Sequence, residues 1–314
     1  MRKQWLCLTI WAASFCPLQA QDADSLFLDI PDSLLTYSDS LSIFNLIDSL
    51  LTLEEASPRS SMAVRLSYNS NVQYAGRTLG INQFGLTPGL SYYHKSGLYA
   101  DVSGYWSDEF EPNYYLTILS AGYMHSFSKK FAFAAYYDKY FYTLEDTYIP
   151  YTNGITVSPM LDFKLITFQL DYTFYFGEEH ANRIMPSVAI NLEKRKLWGL
   201  DRISFSPGFY VLWGDQSFTN VLIPSTRDEW IEALKRLNQG KTWYTTETFR
   251  EFGIMNYSIS VPLTIQCNNF NFTVSYMYSI PKALPSETLT LTESGFLSAG
   301  ISYYINFGKG KYGF

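Results

Sequence analysis

The residues able to do chemistry are few and scattered. There are three histidines, His94, His125 and His180, the last beside Glu178 and Glu179. A nucleophilic hydrolase needs a serine within hydrogen-bond reach of one of them and a third group to orient the ring. Neither a G-x-S-x-G elbow nor an H-E-x-x-H pair occurs. Glu178-Glu179 and the group Asp108, Glu109 and Glu111 offer carboxylate oxygens, but not at the spacing of a calcium loop, so they read as solvated charge. No catalytic residue, metal or cofactor is therefore expected. What remains is a set of charges spaced within alternating segments: Arg65, Asp101, Asp138, Asp171 and Glu193, with Tyr99, Tyr105, Tyr136, Tyr140 and Tyr175 at equivalent positions. Such groups either line a pathway or pair across an enclosed interior.

The elements that must position them follow from composition and period. The chain has 314 residues, 29 acidic and 23 basic, and a net charge of −6. Aromatics reach 18%, mostly 26 Tyr and 23 Phe, while charged residues are only 17%. The negative charge gives nucleic acid no footing, and the low charge with high apolar content is unlike a disordered chain. Residues 1–20 read as a signal peptide: Arg2 and Lys3, an apolar run from Trp5 to Phe15, then Leu18-Gln19-Ala20. Cleavage there would remove Cys7 and Cys16 and leave Cys267 alone, so no internal disulfide is expected. Downstream, no apolar stretch is long enough for a spanning helix.

From Ser61 onward the period is two. Leu297, Ala299, Ile301, Tyr303, Ile305 and Phe307 share one face, against Ser298, Gly300, Ser302, Tyr304 and Asn306. Phe168, Leu170, Tyr172, Phe174 and Phe176 oppose Thr167, Gln169, Asp171, Thr173 and Tyr175. Val64, Leu66 and Tyr68 oppose Arg65, Ser67 and Asn69. This is the apolar-out, polar-in dyad of a closed antiparallel transmembrane β-barrel, which satisfies every backbone group in lipid. Twelve strands are expected, with ten and fourteen as alternatives. Long connections at 75–81, 108–113, 143–154, 177–183, 214–253 and 279–295 alternate with short ones such as Lys95 to Gly97. That asymmetry places both termini in the periplasm. Pro88, Pro159, Pro186, Pro207 and Pro262 fall inside proposed strands, where bulges or bends are expected.

The signal, the Asp-Ser-Leu-rich lead-in, the Tyr/Phe-dense strands and the aromatic last strand resemble outer-membrane β-barrel proteins of the Bacteroidota type. The resemblance covers 61–314 and implies a fold and an outer-membrane location, with membrane lipid and lipopolysaccharide as surroundings, rather than an activity. A lipolytic barrel of this kind would place its site toward the outer side, where neither His94 nor His125 is expected.

Two further segments stand apart. Residues 21–60 form an acidic periplasmic lead-in with an amphipathic helix near 41–53; its stretch 21–57 carries eight acids and no basic residue. Removing Arg2 and Lys3 leaves 21 basic residues against 29 acids, so without the lead-in's eight the barrel balances at 21 each. A basic rim of Lys95, Lys129, Lys130, Lys164, Lys194, Arg195, Lys196, Lys309 and Lys311 would face the lead-in, opposed by Asp162, Glu193 and Asp201. The lead-in either docks there or is a solvated linker. In the loop 214–253, Thr226-Arg227-Asp228-Glu229 reads as a capping box, followed by Trp230, Leu234 and Leu237 on one stripe and Gly240 beyond. A helix over 227–239 is expected, as a lid, as a partner-facing element, or packed on other loops. The expected function is a narrow passive channel for small solutes. The first alternative is a plugged barrel serving as a subunit of an envelope complex, contacting another protein through 21–57 or 214–253. The second is a lipid-acting enzyme.

Overall fold

The structure is a computed structural model and describes residues 60–70, 85–108, 111–143, 149–222, 224–285, 287 and 291–307. The signal peptide, the lead-in, Lys309 and Lys311 lie outside the described residues. The strands are β1 (Ser60–Asn69), β2 (Gly85–Tyr93), β3 (Leu98–Ser107), β4 (Tyr114–Ser128), β5 (Phe131–Tyr142), β6 (Tyr151–Asp162) and β7 (Ile166–Gly177). They continue with β8 (His180–Ile190), β9 (Leu192–Arg195), β10 (Arg202–Phe205), β11 (Gly208–Leu222), β12 (Thr245–Cys267), β13 (Phe270–Pro281) and β14 (Ser294–Phe307). One helix, α1 (Arg227–Asn238), joins β11 to β12.

Each strand pairs antiparallel with its neighbours, and β14 returns to β1 from Ser60↔Phe307 to Asn69↔Ser298. The sheet is closed on itself. Twelve strands form the wall, because β8 with β9, and β10 with β11, are single wall strands each interrupted once. Arg202↔Arg195 and Gly208↔Ala189 belong to one register across both breaks. Pro207 explains the second break, since it cannot donate to the ladder. Pro88, Pro159, Pro186 and Pro262 do not produce the expected bulges. The register is constant past them: Leu86↔Trp106 continues into Gly89↔Ser103, and Val157↔Tyr172 into Met160↔Gln169, with the intervening pairs lost on one side only. The register shifts fall elsewhere, at Tyr105/Trp106, Ser126/Ser128, Tyr151/Asn153 and Leu212/Trp213.

The period of two divides the wall as the sequence requires. Val64, Leu66, Leu90, Leu119, Phe168, Leu170, Ile259, Val274 and Leu297 are exposed on the outside, while Ser91, Asp138, Asp171, Asn256, Ser260 and Ser275 are buried within. One rim carries short turns. Asn268 and Asn269 alone join β12 to β13, with Asn268 at φ 53°, a left-handed position that asparagine tolerates. Aromatic rings gather outside this rim. Phe270 meets Tyr303 at 4.8 Å, Phe127 meets Phe131 at 5.5 Å, and Tyr92 reaches Phe307 at 6.4 Å across β1. Such a ring of aromatics at one end of the wall is the arrangement a membrane-interface girdle requires.

The opposite rim carries the longer connections, with two corrections. The link expected over 177–183 is only Glu178-Glu179, and β8 begins at His180. The expected 214–253 loop is largely strand, since β11 and β12 stay paired to Leu222↔Thr245. β8 accompanies β11 only to Arg183↔Gly214, and β13 joins β12 only from Asn256↔Pro281. The outer parts of β11 and β12 therefore rise as a two-stranded arm of roughly 25 Å, ending in α1.

Candidate functional site

The enclosed polar face is where this fold can act on a solute, and it is unevenly furnished. Tyrosines fill one side. Tyr93 on β2, Tyr99 on β3 and Tyr136 on β5 form a row with ring centroids 6.1 and 6.2 Å apart. Nearer the loop rim, Tyr140 lies 6.4 Å from Tyr175, which lies 6.0 Å from Tyr151. Facing them, β12 and β13 carry small hydroxyl groups in cross-strand pairs: Ser258 with Ser279 at 3.3 Å, Ser260 with Ser275 at 3.1 Å and Thr264 with Thr273 at 3.2 Å. An apolar cluster of Met185, Tyr210, Leu212, Met255, Met277 and Phe296 fills the interior where β8 and β11 to β14 meet.

Inward positions that are half-buried occur at several places on the wall, among them Arg65, Gly89, Asp101 and Ser120, and one group of them is contiguous. Thr273 on β13, Ser298, Gly300 and Ser302 on β14, and Ser67 and Asn69 on β1 all face inward and are half-buried rather than buried. They adjoin one another, because Gly300 pairs with both Thr273 and Ser67 and Ser298 pairs with Asn69. A Cβ on Gly300 would meet nothing nearer than the Ser67 hydroxyl at 3.3 Å. Partly accessible small polar groups thus line the seam where β1 meets β14.

The structure brings Arg65 on β1 and Asp101 on β3 together as an ion pair, although β2 lies between them. Gly89 makes this possible. It stands opposite Arg65 on β2, and a Cβ there would lie 2.9 Å from Arg65 Nη2. The guanidinium passes over that bare backbone to Asp101, and donates to Ser103 at 3.2 Å. Asp101 also accepts from the hydroxyls of Ser91 and Ser103. Asp138 accepts from Tyr140 at 3.3 Å. Asp171 is held differently, by the Ser158 hydroxyl and by Gln169 Nε2 at 2.7 Å.

Sequence reasoning missed a second ionic cluster because it lay in segments taken as loops. Arg183 on β8 lies over Gly214 of the neighbouring strand β11, where a Cβ would lie 2.6 Å from its Nη1. It reaches Asp215 at 3.6 Å, and Arg250 on β12 adds a second cation at 3.7 Å. Asn182 donates its backbone N–H and its side-chain amide to the same carboxylate. Arginine laid over an opposing glycine is thus used twice. The legible signal was an arginine and a glycine on inward positions of adjacent strands.

At the turn rim, Lys129 and Lys130 occupy the turn between β4 and β5, with Lys130 Nζ 5.9 Å from the Phe163 ring centroid. Lys194 and Arg195 lie on β9, and Lys196 follows at φ 54°. Glu193 binds Arg195 and, at 3.3 Å, Arg202. Trp198 in the same hairpin is 80% exposed. At the far end of the molecule, α1 carries the expected capping box, in which Thr226 accepts from the Glu229 N–H and the Glu229 carboxylate from the Ser225 and Thr226 N–H groups. Those donors stabilise the ionised form and hold the Glu229 carboxyl below its ordinary range. Trp230, Leu234 and Leu237 are exposed, and Trp230 lies face to face with Trp243 at 5.8 Å and 1°.

The histidines are held apart. His94 pairs with Ser96 within a turn at 2.8 Å, His125 sits outside between Tyr123 and Phe127, and His180 lies 6.3 Å from the Phe174 ring. Among the described residues no group of three His, Cys, Asp or Glu side chains is placed to hold a metal.

No protein-family model and no curated protein matches the chain. Solved structures similar to it are barrels. The KdgM porin shares 9% identity over 77% of this chain and 98% of that one, with a TM-score of 0.43. The NanC porin shares 10% over 77% and 98%, at 0.41. The β domain of the Bordetella autotransporter BrkA shares 9% over 79% and 100%, at 0.37.

Proposed function

We propose that this protein is an outer-membrane β-barrel acting as a narrow passive channel for small solutes. Its turn rim and both termini would lie in the periplasm, and its arm and α1 outside. The observation that carries the reading is the half-buried row of small polar groups, Thr273, Ser302, Gly300, Ser298, Ser67 and Asn69, inside a wall whose outer face is apolar. Hydroxyl-lined lumens pass hydrated solutes because each group replaces part of a hydration shell without binding tightly. The short-turn, long-loop asymmetry supports the orientation.

Single-channel conductance in planar bilayers tests it, comparing wild type with Gly300→Trp. Discrete steps are expected from wild type, and the substitution should abolish or sharply reduce them. Silence from a demonstrably folded wild type would overturn the channel. The buried tyrosine side and the exposed apolar face of α1 would then favour the second reading, a filled barrel serving as a subunit of an envelope complex.

A further inference from the structure

The lumen carboxylates are not equivalent, and the difference points to a ligand. Asp101 is neutralised by Arg65, and Asp215 by Arg183 and Arg250. Asp171 is 7% exposed, and no lysine or arginine among the described residues forms an ion pair with it. Both of its hydrogen bonds, from Ser158 and Gln169, fall on Oδ1, which leaves Oδ2 without a protein donor among the described residues. Gln169, also 7% exposed, has its amide nitrogen fixed on that carboxylate, and its Oε1 has no partner among the described residues. Two oxygens without a protein donor among the described residues, Asp171 Oδ2 and Gln169 Oε1, therefore belong to hydrogen-bonded neighbours in an enclosed interior. Buried acceptors of this kind are costly unless something satisfies them.

We infer that Asp171 and Gln169 form a binding position for a hard alkali cation in transit through the lumen, an inference that rests on the channel reading above. The donor set is all oxygen, which suits a hard cation and gives a soft metal no ligand. A single carboxylate with one amide oxygen leaves the remaining coordination to water. That arrangement suits a monovalent ion that must leave again. β7 stands six wall strands from β1, so Asp171 lies on the wall opposite the seam of β1 and β14.

The test uses the full chain in planar bilayers, with the reversal potential across a tenfold KCl gradient and the K⁺ dependence of conductance as readouts. Wild type is expected to be cation-selective, with conductance that saturates in K⁺. Asp171→Asn, close to isosteric, should move the reversal potential toward zero and raise half-saturation about tenfold, as loss of one nearby unit charge implies. Gln169→Met should produce a smaller shift in the same direction, and it carries the test if Asp171→Asn does not fold. A conducting Asp171→Asn with unchanged selectivity and saturation would overturn the inference. If folded wild type passes no current, the channel reading fails separately, and the site is read by Tb³⁺ luminescence sensitised by the barrel tyrosines. Emission from wild type that Asp171→Asn loses would then support the position, and equal emission from both would overturn it.

Discussion

Gly89→Ala is the smallest change that should disturb the lumen. The added methyl would lie 2.9 Å from Arg65 Nη2, 3.1 Å from Ser103 Oγ and 3.3 Å from Arg65 Cζ, so the guanidinium has to lift off the wall. Lifting it weakens a charge-assisted contact with Asp101, a type of bond contributing about 1.5–3 kcal/mol. In the opposite direction, alanine in a strand is favoured over glycine by roughly 0.5–1 kcal/mol through the unfolded chain. A net loss of about 1–2 kcal/mol follows from the two. The same substitution in an Arg65→Ala, Asp101→Asn background meets no guanidinium, and there it should be neutral or slightly stabilising. Urea unfolding of the protein refolded into lipid vesicles, followed by tryptophan fluorescence, would give both values and a coupling of about 2 kcal/mol. An equal loss in the two backgrounds would refute the crossing of Arg65 over Gly89 and put the cost in the backbone of β2.

Gly214→Ala should act likewise on Arg183, and the loss should shrink when Arg183 is replaced by Ala, leaving only the contact with Met255 Sδ at 2.9 Å; the same unfolding assay decides it. The capping box of α1 should be pH-dependent. The Glu229 carboxyl is held below its ordinary value of 4.5, so its contribution is complete above that pH and fades as the pH falls below it. The parallel Trp230 and Trp243 rings supply an exciton signal in circular dichroism, which should diminish over that acid range and lose its pH step in Glu229→Gln. Thr226→Ala should destabilise α1 by about 1 kcal/mol, seen as a weaker signal at neutral pH. If the acidic residues 21–57 dock on the Lys129, Lys130, Lys194, Arg195 and Lys196 rim, protease should cut them slowly at low salt and quickly at high salt. Equal, rapid cleavage in both would remove that idea.

The wall was legible wherever lipid imposes a choice. Leu297, Tyr303 and Phe307 against Ser298, Ser302 and Tyr304 could be read off directly, because the outer face of the wall is apolar and the inner face polar. The signal faded where both faces meet water. Residues 245–253, Thr-Thr-Glu-Thr-Phe-Arg-Glu-Phe-Gly, pair as regularly as any others, yet nothing there selects an apolar side, and they read as loop. The helix was legible because its cap is chemistry local to four residues. The ionic contacts of the interior were not. Arg65 finds Asp101 through a gap that Gly89 leaves on an intervening strand, and no spacing along the chain encodes a reach across three strands. The proline positions were recognised, but their effect was misjudged. A lost ladder bond at Pro88 or Pro159 is absorbed without an extra residue, so the register continues unbroken.

The proposed path lies along β1 and β14, which are the first and last strands to be made. The two banks of that path come together only when β14 pairs with β1, for Ser67 and Gly300 are within reach of one another only when the sheet meets itself. Sealing the wall and joining the two polar banks are therefore one event. A barrel halted before that meeting would have no partly formed passage to leak through, only an open sheet. Current through this protein would consequently report on its own completion as much as on any solute.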